Sequence, residues 1–154
     1  MATTIRGGAK LDSAMRELAA KVEKPASVKV GFLSGATYPA GTPVAMIAAI
    51  NEFGAPSRGQ PPRPFMRNAV AKYSKEWPAA VAGFLKSNGY DAARALDLLG
   101  AEIAGQVRQS IVDLVSPPLA ESTIRAKGFD KPLIGGGPTG GHMLGSVNHE
   151  VVEK

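Results

Sequence analysis

VAMIAAINEFGAPSRGQPPRPFMRNAV, running from Val44 to Val70, divides into three pieces whose joining decides the fold. Thr42 followed by Pro43 marks a helix start, because a hydroxyl caps free backbone N–H groups and proline suits the first helical position. Val44, Met46, Ile47, Ile50 and Phe53 make that helix apolar nearly all round, with Asn51 and Glu52 as the exceptions. Burial within the domain or against a neighbouring subunit is therefore expected. Gly54 is a good stop. A basic loop carrying Arg58 follows, and the rigid run Pro61-Pro62-Arg63-Pro64 delivers Phe65 into a second helix.

Upstream, Leu11, Met15, Leu18 and Val22 recur at three- and four-residue steps, with Lys10, Arg16, Glu17 and Lys21 between them. That spacing predicts an amphipathic helix, closed by Pro25, after a flexible N-terminus over residues 1–8. Val28, Val30 and Phe32 alternate with Lys29 and Gly31 and read as a half-buried strand. Ser34 to Thr42, with Gly35, Pro39 and Gly41, reads as a loop or hairpin tip.

Downstream of the proline run, Met66, Val70, Tyr73, Trp77, Val81 and Leu85 continue one stripe, which Pro78 kinks or restarts. Asp91 can cap a long helix with the stripe Leu96, Leu99, Ile103, Val107, Ile111 and Leu114, about 35 Å at 1.5 Å per residue. Gly100, Ala101, Ala104 and Gly105 give it a thin patch where another backbone can approach. Leu119 to Lys127 forms a short helix ended by Gly128, and Gly135 to Gly141 is a glycine-rich mobile loop. Val147, His149 and Val151 alternate in a last strand suited to pair with Val28–Leu33. The expected fold class is α+β: a small antiparallel sheet packed with a long helix, two or three shorter helices and extended loops. The 154 residues suit a single domain.

Composition narrows the chemistry. There is no cysteine, so disulfides, thiol nucleophiles and Cys-bound metals are out. No apolar run suits a signal peptide or a membrane span, and a soluble intracellular product without membrane contact is expected. The net charge of +5 matters less than its distribution. No acidic residue lies between Glu52 and Glu76, where Arg58, Arg63, Arg67, Lys72 and Lys75 all fall. Such a field can face DNA, an acidic partner or water.

Catalytic material is poor. Paired carboxylates and a nucleophile–base set are not evident, and His142 and His149 lack further ligands for a metal. The Gly135–Gly141 run is followed by His142-Met143-Leu144, without the Gly-Lys-Ser/Thr that a phosphate-binding loop supplies. Pro61-Pro62-Arg63-Pro64 meets the minimal proline-ligand pattern, but as a turn it also fixes the entry of Phe65 into its helix. The expectation is no enzyme, no cofactor and no metal.

Taken in order, Val44 to Gly54 with its Asn-Glu-Phe-Gly ending, and then Pro61-Pro62-Arg63-Pro64-Phe65-Met66-Arg67, resemble the neck or tail-completion proteins of long-tailed bacteriophages. These are also described as virion-morphogenesis or head–tail joining proteins. Ser122-Thr123-Ile124 before Lys127-Gly128, Lys131-Pro132-Leu133, and Gly141-His142-Met143-Leu144-Gly145-Ser146-Val147 fit the same pattern, so the resemblance spans about Val28 to Val151. One departure stands out: members carry Asp-Thr-Gly shortly after the Pro-Leu, where this chain has the longer Gly135–Gly141 run.

The resemblance implies a structural virion protein, assembled in the host cytoplasm. It would form a homo-oligomeric ring, sixfold or twelvefold, between the connector and the tail-terminator or tail-tube proteins. Met46, Ile47, Ile50, Glu52, Phe53, Arg58, Arg63, Phe65, Arg67, Gly136, Gly137 and His142 are the expected subunit and partner contacts. The alternatives are a module that contacts DNA nonspecifically and a tail terminator that caps the tail tube.

Overall fold

The computed structural model describes residues 8–22, 26–135 and 141–153. Its elements, in chain order, are α1 (Gly8–Val22), β1 (Ala26–Phe32), α2 (Val44–Phe53), a 3₁₀ turn (Pro56–Arg58), α3 (Phe65–Tyr73), α4 (Trp77–Ser87), α5 (Ala92–Asp113), α6 (Glu121–Lys127), α7 (His142–Gly145) and β2 (Val147–Glu153). The architecture is α+β, as the pattern implied. Six helices accompany the long one among the described residues, more than the two or three expected.

β1 and β2 pair antiparallel, with Val28 opposite Val151, Val30 opposite His149 and Phe32 opposite Val147. A two-stranded sheet is marginal in water without something packed on one face. α5 supplies that cover. Gly100 is the point of closest approach: a Cβ there would lie 2.6 Å from the side chains of both His149 and Val28. The small-residue patch thus serves the chain's own sheet at Gly100 and Ala104, both buried, whereas Ala101 and Gly105 face outward. On the other face of the sheet Lys29 and Glu150 make an exposed cross-strand pair at 3.3 Å, worth about 0–1 kcal/mol.

The core joins α5 to α2, α3, α7 and β2 through Val44, Ala48, Phe65, Ala69, Val107, Ile111, Met143 and Val147. Phe32 closes it from the strand, edge-on to Phe65 with ring centroids 6.0 Å apart. Asp91 caps α5 as its position implied, accepting from the Arg94 N–H at 2.9 Å. The stripe from Met66 to Leu85 resolves into two helices, because Ser74 to Glu76 turn and Pro78 sits in the first turn of α4, where it lacks no needed N–H. Trp77 then reaches α5, its indole N–H donating to Gln106 Oε1 at 2.8 Å.

Thr42 does not cap α2. Pro43 occupies the cap position without a side-chain bond, and the Val44 N–H is taken instead by the Ala36 carbonyl at 2.9 Å. A tight turn supports this, with the Tyr38 N–H donating to the Thr42 carbonyl at 2.9 Å. Within the chain α2 is not buried all round: Val44, Ala48 and Glu52 form the inward row, while Met46 and Phe53 stand in solvent.

Opposite substitutions on one helix check this packing. Gly100→Val should lower stability by about 1–3 kcal/mol through overpacking against the sheet. Gly105→Ala, where nothing lies within 4 Å, should raise it by about 0.4–1 kcal/mol. Urea unfolding midpoints of the two variants should therefore move in opposite directions.

Candidate functional site

The decisive stretch folds around one carboxylate. Glu52 continues the inward row of α2 at four-residue steps from Val44 and Ala48, so its side chain is carried into the protein and the residue is only 5% exposed. The first turn of α3 has free N–H groups there, and Pro64 at its cap position provides no side-chain bond. Glu52 fills the gap from the neighbouring helix. Its Oε2 accepts from the Met66 N–H at 2.9 Å, and its Oε1 accepts from the Arg67 N–H at 3.1 Å. A negative group at a helix N-terminus is also favoured by the helix dipole.

Arg67 completes the joint. Its Nε donates to Glu52 Oε1 at 2.8 Å and its Nη2 to the Glu52 carbonyl at 2.7 Å, so it satisfies one of the last free carbonyls of α2 as well. The guanidinium lies 5.4 Å from the centre of the Phe53 ring. One ion pair thereby ties the end of α2 to the start of α3.

Between the helices, the chain leaves and returns along a fixed path. Gly54 has φ 78°, and a Cβ there would lie 2.8 Å from both Gln60 O and Pro62 N, so a side chain would meet backbone on the returning strand as well as the positive-φ penalty. Ala55 and Gln60 exchange backbone bonds at 2.9 and 3.1 Å, closing the loop around the Pro56–Arg58 turn. Asn51 anchors the return: its carbonyl accepts from the Arg63 N–H at 2.7 Å and its Oδ1 from Gln60 Nε2 at 3.2 Å.

The expected contact residues separate into two groups. Met46, Phe53 and Arg58 are exposed, Phe53 at 68%, and Ile47 and Ile50 are half-buried. Glu52 and Phe65, by contrast, have no surface for a partner, because the first caps α3 and the second fills the core. They act by holding the joint. Arg67 is exposed yet held by Glu52, and Arg63 is half-buried with an Nε that finds no hydrogen-bond partner among the described residues. Near it, burial and then the charge of Arg63 push the Lys127 ammonium below its ordinary value, against the opposing pull of Asp130. Gly136 and Gly137 lie outside the described residues, as do residues 1–7 of the expected flexible N-terminus, whereas Gly8 opens α1.

The histidines have separate structural partners. His142 Nε2 donates to the Thr37 carbonyl at 2.9 Å and its ring lies against Tyr38. His149 Nε2 meets Asp97 Oδ1 at 3.0 Å beneath α5, and Asp97 also accepts from Arg94. A cleft between the end of α1 and the α4–α5 turn holds Lys21 and Asp91, whose polar groups are already bonded to the Gly89 carbonyl and the Arg94 N–H.

No protein-family model, curated protein or solved structure matches the chain. What the site offers is a rigid corner with an exposed aromatic and an exposed arginine beside it, and its main charged pair is engaged in folding. Sequence reasoning missed the cap itself. Its only trace was an acidic residue on the inward row of a helix followed, past the proline run, by an arginine in the next helix.

Removing the carboxylate tests the joint. Glu52→Ala should cost about 2 kcal/mol or more, since a helix cap is lost and buried N–H groups are left unsatisfied. Arg67→Ala should cost less, about 1–2 kcal/mol, because the buried carboxylate loses its counter-charge but keeps both backbone N–H bonds. Chemical unfolding of the two variants should give that order.

Proposed function

We propose that this chain is a structural subunit of a long-tailed phage particle, forming a ring at the head–tail junction that links the connector to the tail. The observation that carries the proposal is the division of labour in the Asn-Glu-Phe-Gly to Pro-Arg-Pro-Phe segment. Its polar chemistry, Glu52 with Arg67 and Asn51 with Arg63, builds a stiff corner, while Met46, Phe53 and Arg58 remain outside it. A corner of this kind positions contacts. The phage setting rests on the motif order, and the assembly role rests on apolar surface left without cover.

In this reading Phe53 and Met46 meet a neighbouring subunit, and the Arg58 loop docks on the layer above or below. The DNA-binding alternative is weakened by what the basic residues do. Arg67 is paired with Glu52 and Arg63 is half-buried, so the run from Arg58 to Lys75 does not form one free cationic stripe.

Phe53→Ser combined with Arg58→Ala should leave the unfolding free energy within about 0.5 kcal/mol of the parent protein, since both side chains are exposed. The same variant should fail to form rings in negative stain, and phage lacking the native gene should then yield filled heads and separate tails. Normal particle assembly by the variant would remove the proposal. So would a parent protein that stays monomeric and binds DNA with a steep dependence on salt.

A further inference from the structure

Among the described residues, α1 carries an apolar stripe that is half-buried only at Leu18 and otherwise open to solvent. Leu11, Met15, Leu18 and Val22 fall within a sector of about 60° at 100° per residue. Among the described residues none of this helix is buried, and Leu11 is 66% and Met15 60% exposed. Its polar tie to the body is at the far end, where Lys21 Nζ donates to the Gly89 carbonyl at 3.4 Å. A helix of 15 residues is marginal in water on its own, so the stripe needs a cover to hold it.

A second uncovered apolar surface lies elsewhere on the molecule. Ala45 and Ala49 make a furrow along α2, walled by Phe53, Phe32 and Met66 and rimmed by Arg67. The cleft has a volume of about 270 Å³ and opens to solvent, and its lining is apolar apart from Glu52 and Arg67.

The two surfaces cannot meet within one chain while Lys21 stays on Gly89. The furrow is beside Phe65, whose carbonyl accepts from Ser110 at 2.6 Å, whereas Gly89 lies just before the first turn of α5. Ala92 and Ser110 are about 27 Å apart along the helix at 1.5 Å per residue, and Met15 is only about 9 Å from Lys21 on the same measure.

We propose that the α1 stripe of one copy docks in the α2–α3 furrow of a second copy. The inference rests on the self-assembly put forward above and names the contact that would drive it. Because the two surfaces differ, the contact is head-to-tail, and repetition about an axis closes a ring. What matches the two surfaces is their apolar character, since the charges beside them are already paired within the chain, Asp12 with Arg16 at 3.0 Å and Arg67 with Glu52 at 2.8 Å. The polar side of α1 carries Lys10, Asp12, Arg16, Glu17 and Lys21. That mixture of signs suits a protein partner better than an anionic lipid surface.

The chain has no cysteine, so an introduced pair reports on this contact alone. Met15→Cys and Ala49→Cys, both at exposed positions, are made as separate proteins, mixed, and oxidised mildly beside sedimentation runs of the parent protein. The mixture should form disulfide-linked dimers about tenfold or more faster than either protein alone, as docking raises the effective concentration of the two thiols. A protein carrying both substitutions should give a ladder of linked multimers. Faster linkage of the Met15→Cys protein with itself would instead pair two α1 helices and overturn the proposal, as would an intrachain disulfide in the double variant. If sedimentation gives an oligomer but the mixture shows no preference, this contact is wrong and the ring reading survives. A monomeric parent protein removes both.

Discussion

The buried carboxylate of Glu52 is the point on which the α2–α3 corner depends. It belongs to one helix and caps the next, so the angle between α2 and α3 is set by two backbone N–H groups and one guanidinium converging on two oxygens. A buried carboxylate without such partners would be strongly unfavourable. Here the cost of burial is offset by charge-assisted bonds, and the geometry tolerates little variation. Phe65 is the first residue of the helix so capped, and it fills the centre of the core between Phe32 and α5. Local capping and global packing are therefore one event.

α5 provides the second frame. It lies across the two-stranded sheet at Gly100 and receives the Phe65 carbonyl through Ser110 and the Trp77 indole through Gln106. The corner is thus fixed to a long rigid element by a core contact and a side-chain hydrogen bond. An exposed group on the corner, such as Phe53, inherits that rigidity. In the proposed ring this rigidity would matter, because small errors in interface angle accumulate around a closed rotation.

Much of the fold was legible because the signals were local. Asp91 announces its helix, Gly54 and Gly128 end theirs in left-handed or otherwise positive-φ conformations, and the alternations at Val28–Phe32 and Val147–Val151 give the strands and their pairing. The failures share a cause. Glu52 read as an exception on an apolar helix because the N–H groups it satisfies lie 14 and 15 residues ahead. Thr42 offered a hydroxyl at a plausible cap, but the Ala36 carbonyl from the preceding loop took the N–H instead. The stripe of α1 was correctly read as amphipathic, yet periodicity describes a face and is silent about its cover. Gly100 was recognised as a place of close approach, but the element that approaches is the chain's own sheet.

The loop between Ala55 and Gln60 has a consequence for how such a protein can diversify. Its two ends are clamped to each other by reciprocal backbone bonds, and Gly54 and Asn51 are fixed outside the clamp. The tip, Pro56 to Gly59, is therefore mechanically insulated from the corner beneath it. Doubling the length of such a closed segment costs only about 0.6 kcal/mol of closure entropy. The tip can be rewritten or lengthened while the α2–α3 angle stays constant, so the architecture separates the chemistry the loop presents from the stance of the corner that carries it.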